Sequence, residues 1–135
     1  MKIALVSDDG LTISHSFDRA KFYIVICLED NKVVAREQRQ RIWFDLFTVK
    51  HNNEQKSSIE THHPNSRKYP SGKYYHLLAA IADCNLLLAQ GMRSGAYYQA
   101  LQVGIRPIIT DISMIDDALL AVMDGSIIDH KGKLR

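Results

Sequence analysis

Residues 86–110, LLLAQGMRSGAYYQALQVGIRPIIT, constrain the fold more than any other stretch of the chain. An apolar run leads into a short turn with two glycines four apart, then a helix-like pattern, then a second apolar run. Short apolar runs bounded by turn residues fit buried strands. NLLLA (85–89) and IRPIIT (105–110) are therefore predicted strands around a helix over SGAYYQALQV (94–103). Gly104 stands where helices place their C′ residue. Pro107 has no amide to donate, so one side of its strand is expected to be unpaired or irregular.

The first part of the chain reads differently. KIALVS (2–7) fits a central strand closed by DDG, and KFYIVICLE (21–29) and KVVAREQR (32–39) fit two more strands. Only Asp30 and Asn31 separate the latter two, which predicts a hairpin with a tight polar turn. The alternation in the third strand places it near a sheet edge. IWFDLFTV (42–49) either extends that strand or covers the end of the core. Residues 50–72 are polar, with two prolines and one aliphatic, and read as a long surface loop.

Ser71 is a candidate cap for a helix over 73–82. Ser113 with Asp116 suggests a capping-box variant before MIDDALLAVMDG, and Gly125 ends that helix. The resulting order, β-β-β-α-β-α-β-α, predicts an α/β fold with a mixed sheet and helices on its faces. At 135 residues the chain suits one domain, expected over 1–125, with 126–135 as a short tail.

No apolar stretch reaches 18 residues, which argues against a membrane span, and MKIALVSDDG is too short for a signal peptide. The two cysteines, Cys27 and Cys84, sit in or beside strand patterns and are expected to be buried thiols in a reducing cytoplasm. Residues 36–75 carry eight basic and four acidic side chains, a basic patch too modest to argue for nucleic acid. Tyr69, Tyr74, Tyr75, Tyr97 and Tyr98 are candidate stacking surfaces, but Tyr97 and Tyr98 share one helix, where packing accounts for them.

The turn QGMRSG offers free amides and the positive end of a helix, a seat for an anion. Asp111, twenty residues beyond Gly91, loosely imitates the ribose-binding acid of a dinucleotide site. The spacing is GxxxG rather than GxGxxG, however, and no second mononucleotide half follows. Met92 is either a gap filler or a soft thioether beside a ligand or metal. Asp8 and Asp9 lie at the carboxyl end of the first strand, where open α/β sheets place their sites. With Asp111 they are candidates for holding a divalent ion in a phosphoryl-transfer enzyme. Asp83 precedes its strand and belongs at the opposite end of the sheet. His15 shares the edge with Asp8, while His51, His62 and His63 flank or occupy the long loop. No Cys-x-x-Cys pair, Walker motif or nucleophile–His–acid ordering is present.

MKIALVSDDG, ISHSFDRAKFYIV and IADCNLLLAQGMRSGAYYQALQVGIRPIIT, with the closing acidic-apolar helix, resemble the dinitrogenase iron–molybdenum cofactor biosynthesis family, the NifX-like domain. The likeness covers residues 1–40 and 72–125, and its most specific part is ADC-x₆-GM-x₂-GAY. The resemblance implies a ribonuclease H-like α/β fold with a mixed five-stranded sheet. It implies a non-enzymatic role, binding or carrying an iron–sulfur or iron–molybdenum cofactor or its precursor. Implied partners are nitrogenase-type or other metallocluster assembly proteins.

Where family members read like SSHFGRA, this chain has SHSFDRA. Matching on Phe17 puts Ser16 at the usual histidine position and Asp18 at the usual glycine, with His15 one residue away. The middle loop, histidine-rich in many members, has His62 and His63, with His76 at its helical end. The implied cargo site comprises His15, Ser16, Arg19, Gly91, Met92, Arg93 and Gly95, with His15, His62 and His63 as metal ligands. Arg19 or Arg93 would supply charge balance to an anionic cluster. The alternatives are a small-ligand or protein-interaction module of the same fold that has lost the cluster site, or a phosphoryl-transfer enzyme using Asp8 and Asp111. Strand three and IWFDLF offer an edge through which a homodimer would pair.

Overall fold

A computed structural model of the chain describes residues 1–41 and 72–134. The segment 42–49, the loop histidines His51, His62 and His63, Tyr69 and the proposed cap Ser71 lie outside the described residues. Five strands form one mixed sheet: β1 (Lys2–Ser7), β2 (Phe22–Glu29), β3 (Lys32–Gln40), β4 (Leu86–Ala89) and β5 (Arg106–Ile109), in the order β3-β2-β1-β4-β5. Among the described residues the helices are α1 (Gly72–Ala79), α2 (Ser94–Gln102) and α3 (Ile115–Met123), and a 3₁₀ turn covers Lys131–Lys133. None of the described helices is long and apolar enough to cross a membrane.

β1 is central because nearly all of it is apolar and both its faces are buried, from Ile3 to Ser7. It pairs antiparallel with β2 and parallel with β4, and β4 pairs parallel with β5. The β2–β3 hairpin turns on Asp30 and Asn31, with φ of 52° and 63°. Two successive positive φ values give a turn whose twist matches the flanking strands, and Asn and Asp tolerate that conformation best. A bulge between Cys27 and Leu28 then leaves Val34 opposite no partner.

The parallel half needs helical crossovers; glycine closes α2, which crosses from β4 to β5, and also α3, which follows β5. After α2, Gly104 adopts φ 86°; its amide donates to the Leu101 carbonyl at 3.1 Å and the Ile105 amide to the Ala100 carbonyl at 2.9 Å. After α3, Gly125 adopts φ 79° with the same pair of bonds, to Val122 and Ala121. Both are Schellman closures, which satisfy carbonyls that the helix itself leaves free. Pro107 is buried in β5, which stands last in the sheet order, so its missing donor interrupts no ladder.

Two expectations are corrected. α1 ends at Ala79 rather than Ala82, because residues 79–84 tighten into successive i→i+3 bonds: Ile81 to Leu78, Ala82 to Ala79 and Cys84 to Ile81. α3 is not capped by Ser113. Met114 holds the N-cap position without a side-chain cap bond. The helix start is pinned through the backbone instead, by Ile115 N–H to Leu11 and Ile13 N–H to Ser113. The tail also has a defined place. Asp129 accepts from the Ile109 amide and from the Tyr97 hydroxyl, both at 2.8 Å, and the His130 amide donates to Ile109. These bonds lay the tail beside β5.

Candidate functional site

The carboxyl ends of β1 and β4 each release a loop, and the two loops are stitched together. The Phe17 amide donates to the Gly91 carbonyl at 2.9 Å, and the Gln90 amide to the Ser14 carbonyl at 3.1 Å. The Gln90 side chain adds a 2.6 Å bond to the Ile13 carbonyl. What approaches the glycine turn most closely among the described residues is therefore the 13–17 loop. Neither Gly91 nor Gly95 has positive φ; that conformation belongs to Gly10, Gly104 and Gly125.

Phe17 anchors the loop. Its ring is fully buried and packs against Tyr23 and Tyr74 at 6.5 and 6.4 Å between centroids. Arg41 backs it from the end of β3, its guanidinium 4.9 Å from both the Phe17 and Tyr23 ring centres. The same guanidinium donates to the carbonyls of Phe17 and Ala20. Burial lowers the pKa of Arg41, against the opposing pull of Tyr23, Asp18 and Asp8. Ser14 and Ser16 close the turn locally: the Ser16 amide donates to Ser14 Oγ, and the Arg19 amide to Ser16 Oγ.

With the backbone fixed in this way, a depression of about 330 Å³ opens between the loops, lined by His15, Ser16, Asp18, Arg19, Gly91, Met92 and Arg93. His15, Arg19 and Arg93 are exposed, whereas Gly91 and Met92 are buried. Arg93 is the N-cap of α2 in extended conformation, and its side chain makes no cap bond to the helix start. Its Nε lies 3.3 Å from Asp18 Oδ2.

Six of the residues singled out in the sequence thus meet around one depression. Gly95 does not line it; it lies one step into α2, exposed. Asp18, whose charge the sequence already puts beside the site, joins the lining, and Arg41, which the sequence reading did not single out, lies behind it. The signal for Arg41 was an arginine set between an alternating strand and an apolar run.

The acids proposed for a divalent ion are engaged elsewhere. Asp9 accepts from the amides of Leu11 and Thr12, both at 2.8 Å, and from the Thr12 hydroxyl. These bonds hold its pKa down at about 2. Asp8 accepts from the Lys21 amide, and Asp111 faces His130 Nε2 at 3.6 Å. Among the described residues no group of three or more His, Cys, Asp or Glu side chains could hold a metal ion. Cys84 is buried beside Asp83, where burial first and the nearby carboxylate second push its thiol up to about 11. A thiol so protonated is a poor metal ligand.

Packing accounts for Tyr74 and Tyr97, which are buried, while Tyr75 and Tyr98 are exposed. Tyr97 is buried, and burial and its bond to Asp129 push its pKa up to about 12. Tyr98 crosses it edge-on, and the Lys131 ammonium lies 5.7 and 5.6 Å from the two ring centres.

A family model described as "dinitrogenase iron-molybdenum cofactor" matches residues 1–125, almost the whole chain. The chain belongs to this family. Among curated proteins none matches the chain in sequence. Three solved structures share the fold. The crystal structure of PH0822 has a TM-score of 0.65 at 19% identity, covering 96% of this chain and 97% of that one. A putative dinitrogenase from Methanocaldococcus jannaschii has a TM-score of 0.58 at 17% identity, covering 94% and 91%. The apo form of the orange protein from Desulfovibrio gigas has a TM-score of 0.60 at 16% identity, covering 93% and 89%.

Proposed function

We propose that this chain binds and carries a preassembled iron–sulfur or iron–molybdenum cofactor, or a precursor of one, in the depression between the 13–19 loop and the Gly91–Arg93 turn. The observation that carries this reading is the convergence of His15, Ser16, Arg19, Gly91, Met92 and Arg93 on one depression at an uncapped helix start, in a member of this family. The donor set suits a cargo built elsewhere. It offers one exposed imidazole, one thioether and two guanidiniums, that of Arg93 already paired with Asp18, while the thiolates a protein needs to build its own cluster are absent from the lining. Hydrogen bonds and charge around a single ligating histidine stabilise an anionic cluster without extensive covalent ligation.

In this reading the protein is a non-enzymatic carrier in the cytoplasm, with a ribonuclease H-like fold and metallocluster assembly proteins as partners. His62 and His63 would add metal ligands from the middle loop, and a homodimer would form through the edge of β3. The alternative of a phosphoryl-transfer enzyme using Asp8 and Asp111 is disfavoured, because Asp8 accepts from the Lys21 amide and Asp111 faces His130.

The test is anaerobic titration of the purified protein with isolated iron–molybdenum cofactor, and separately with iron and sulfide. Uptake is followed by visible absorption and metal analysis, with His15→Ala in parallel. Stoichiometric uptake by the wild type that weakens about tenfold or more in His15→Ala is the expected result. Failure of the wild type to take up either cargo overturns the reading and favours a binding module of the same fold.

A further inference from the structure

The depression already contains an anion of its own. Asp18 Oδ2 lies 3.3 Å from Arg93 Nε, and its side chain is only 25% exposed. The other carboxylate oxygen, Oδ1, is buried and accepts no hydrogen bond. A carboxylate kept in this setting needs positive charge around it, because burial without compensation costs several kcal/mol. Two guanidiniums supply that charge: Arg93 in front, by contact, and Arg41 behind, anchored on the Phe17 and Ala20 carbonyls that flank Asp18. Arg93 is therefore already engaged before any cargo arrives, and among the described residues Arg19 is the arginine of the lining that makes no ion pair.

We propose that Asp18 is a specificity-determining residue, an internal counter-anion that occupies Arg93 and makes the depression reject small, multiply charged anions. The inference rests on the reading of the depression as the cargo site, and it deepens that reading by naming the class of cargo admitted. A cluster of low net charge, or one presenting a neutral edge to Asp18, enters without displacing the ion pair. A compact dianion has to approach within a few ångströms of the Asp18 carboxylate while competing with it for the same guanidinium.

The probe is molybdate, a compact dianion, measured by equilibrium dialysis against the wild type, Asp18→Asn, Arg93→Gln and the double variant. Thermal melts establish that each is folded, and Asp18→Gly serves as the second variant where Asp18→Asn is not. The expected result is molybdate binding about tenfold tighter in Asp18→Asn than in the wild type, the scale of one charge contact in a partly solvated site. Arg93→Gln alone changes affinity little, yet removes most of the gain in the double variant. That non-additivity separates competition for Arg93 from a general structural effect. Equal affinity of the wild type and Asp18→Asn, or no binding by Asp18→Asn, overturns the proposal even where the wild type takes up iron–molybdenum cofactor. A gain in Asp18→Asn with no cofactor uptake by the wild type upholds the counter-anion and overturns the cargo reading.

Discussion

The two ends of the sheet carry charge in opposite ways. At the amino end of β1, Asp83 takes the Lys2 ammonium at 2.9 Å and both terminal nitrogens of Arg39, at 2.6 and 2.9 Å. Arg39 also bonds the Ala80 carbonyl and Glu37. Asp83, Arg39 and Lys2 each have a partner in good geometry, and each is offset in the direction of its ionised form: Asp83 well below the usual carboxylate range, Arg39 and Lys2 upward. At the carboxyl end, Asp18 has one 3.3 Å contact and a buried oxygen with none, and His15 and Arg19 stand exposed. Charges that satisfy one another hold a fold together. Charges left under-satisfied around a depression are available to something else.

The largest effect expected from breaking this contrast comes from Arg41, because the open site stands on a closed foundation. Replacing Arg41 by Met removes charge-assisted bonds to two carbonyls, Phe17 and Ala20, and leaves those carbonyls buried. A cost of roughly 2–3 kcal/mol in urea denaturation is expected. A cost below about 0.5 kcal/mol, the range of an ordinary surface change, would show that backbone bonds alone hold the 13–20 loop.

Arg41 also marks where sequence reading stops. The hairpin at Asp30–Asn31 was legible because few residues accept positive φ, and Gly104 was legible for the same reason. The approach of the 13–19 loop to the glycine turn followed from both lying at the carboxyl ends of neighbouring strands. Arg41 and Asp83 were not legible as partners, because their roles depend on register. The two-residue turn alone would set Tyr23 opposite Gln38; the bulge at Cys27 and Leu28 moves it opposite Arg39, and no local pattern announces that bulge. The cap of α3 failed for a related reason. Ser113 has the right chemistry for a cap, but its carbonyl is taken by Ile13 and the helix begins one residue later.

Asp83→Asn probes the satisfied end. At neutral pH the loss is expected to be about 1 kcal/mol, modest because the side chain is nearly half exposed and solvent screens the pairs. The pH dependence is more diagnostic. Hydrogen bonds from Arg39 first and Lys2 second depress the folded-state pKa. The stabilisation is therefore fully present above the unfolded carboxyl value of about 4 and is lost as pH falls below it. The stability gap between wild type and Asp83→Asn should close below about pH 4. A gap that persists unchanged to pH 2 would mean that the carboxylate charge is not what stabilises this end.

Effects of opposite sign, the smaller of them the smallest expected, distinguish the two ends of α2, which runs from the open site back toward the start of β5. Gly104 has φ 86°, so Gly104→Ala forces a Cβ into the left-handed region and should cost about 1–2 kcal/mol. Gly95 has no such need: its φ is not positive, and among the described residues an added Cβ would meet Tyr74 Cε2 alone, at an ordinary 3.5 Å. Gly95→Ala is therefore expected to raise stability by about 0.5 kcal/mol, through a less flexible unfolded chain and better helix propensity. Thermal melts of the two variants give opposite signs if this holds. A destabilised Gly95→Ala would mean that the Tyr74 ring, wedged against Phe17, cannot yield even to an ordinary contact, and Gly95 would then belong to the packing that shapes the site. A stabilised one shows that the fold would accept a side chain here. The bare backbone at the helix start is then a feature the scaffold does not require, as the partnerless oxygen of Asp18 is on the facing loop.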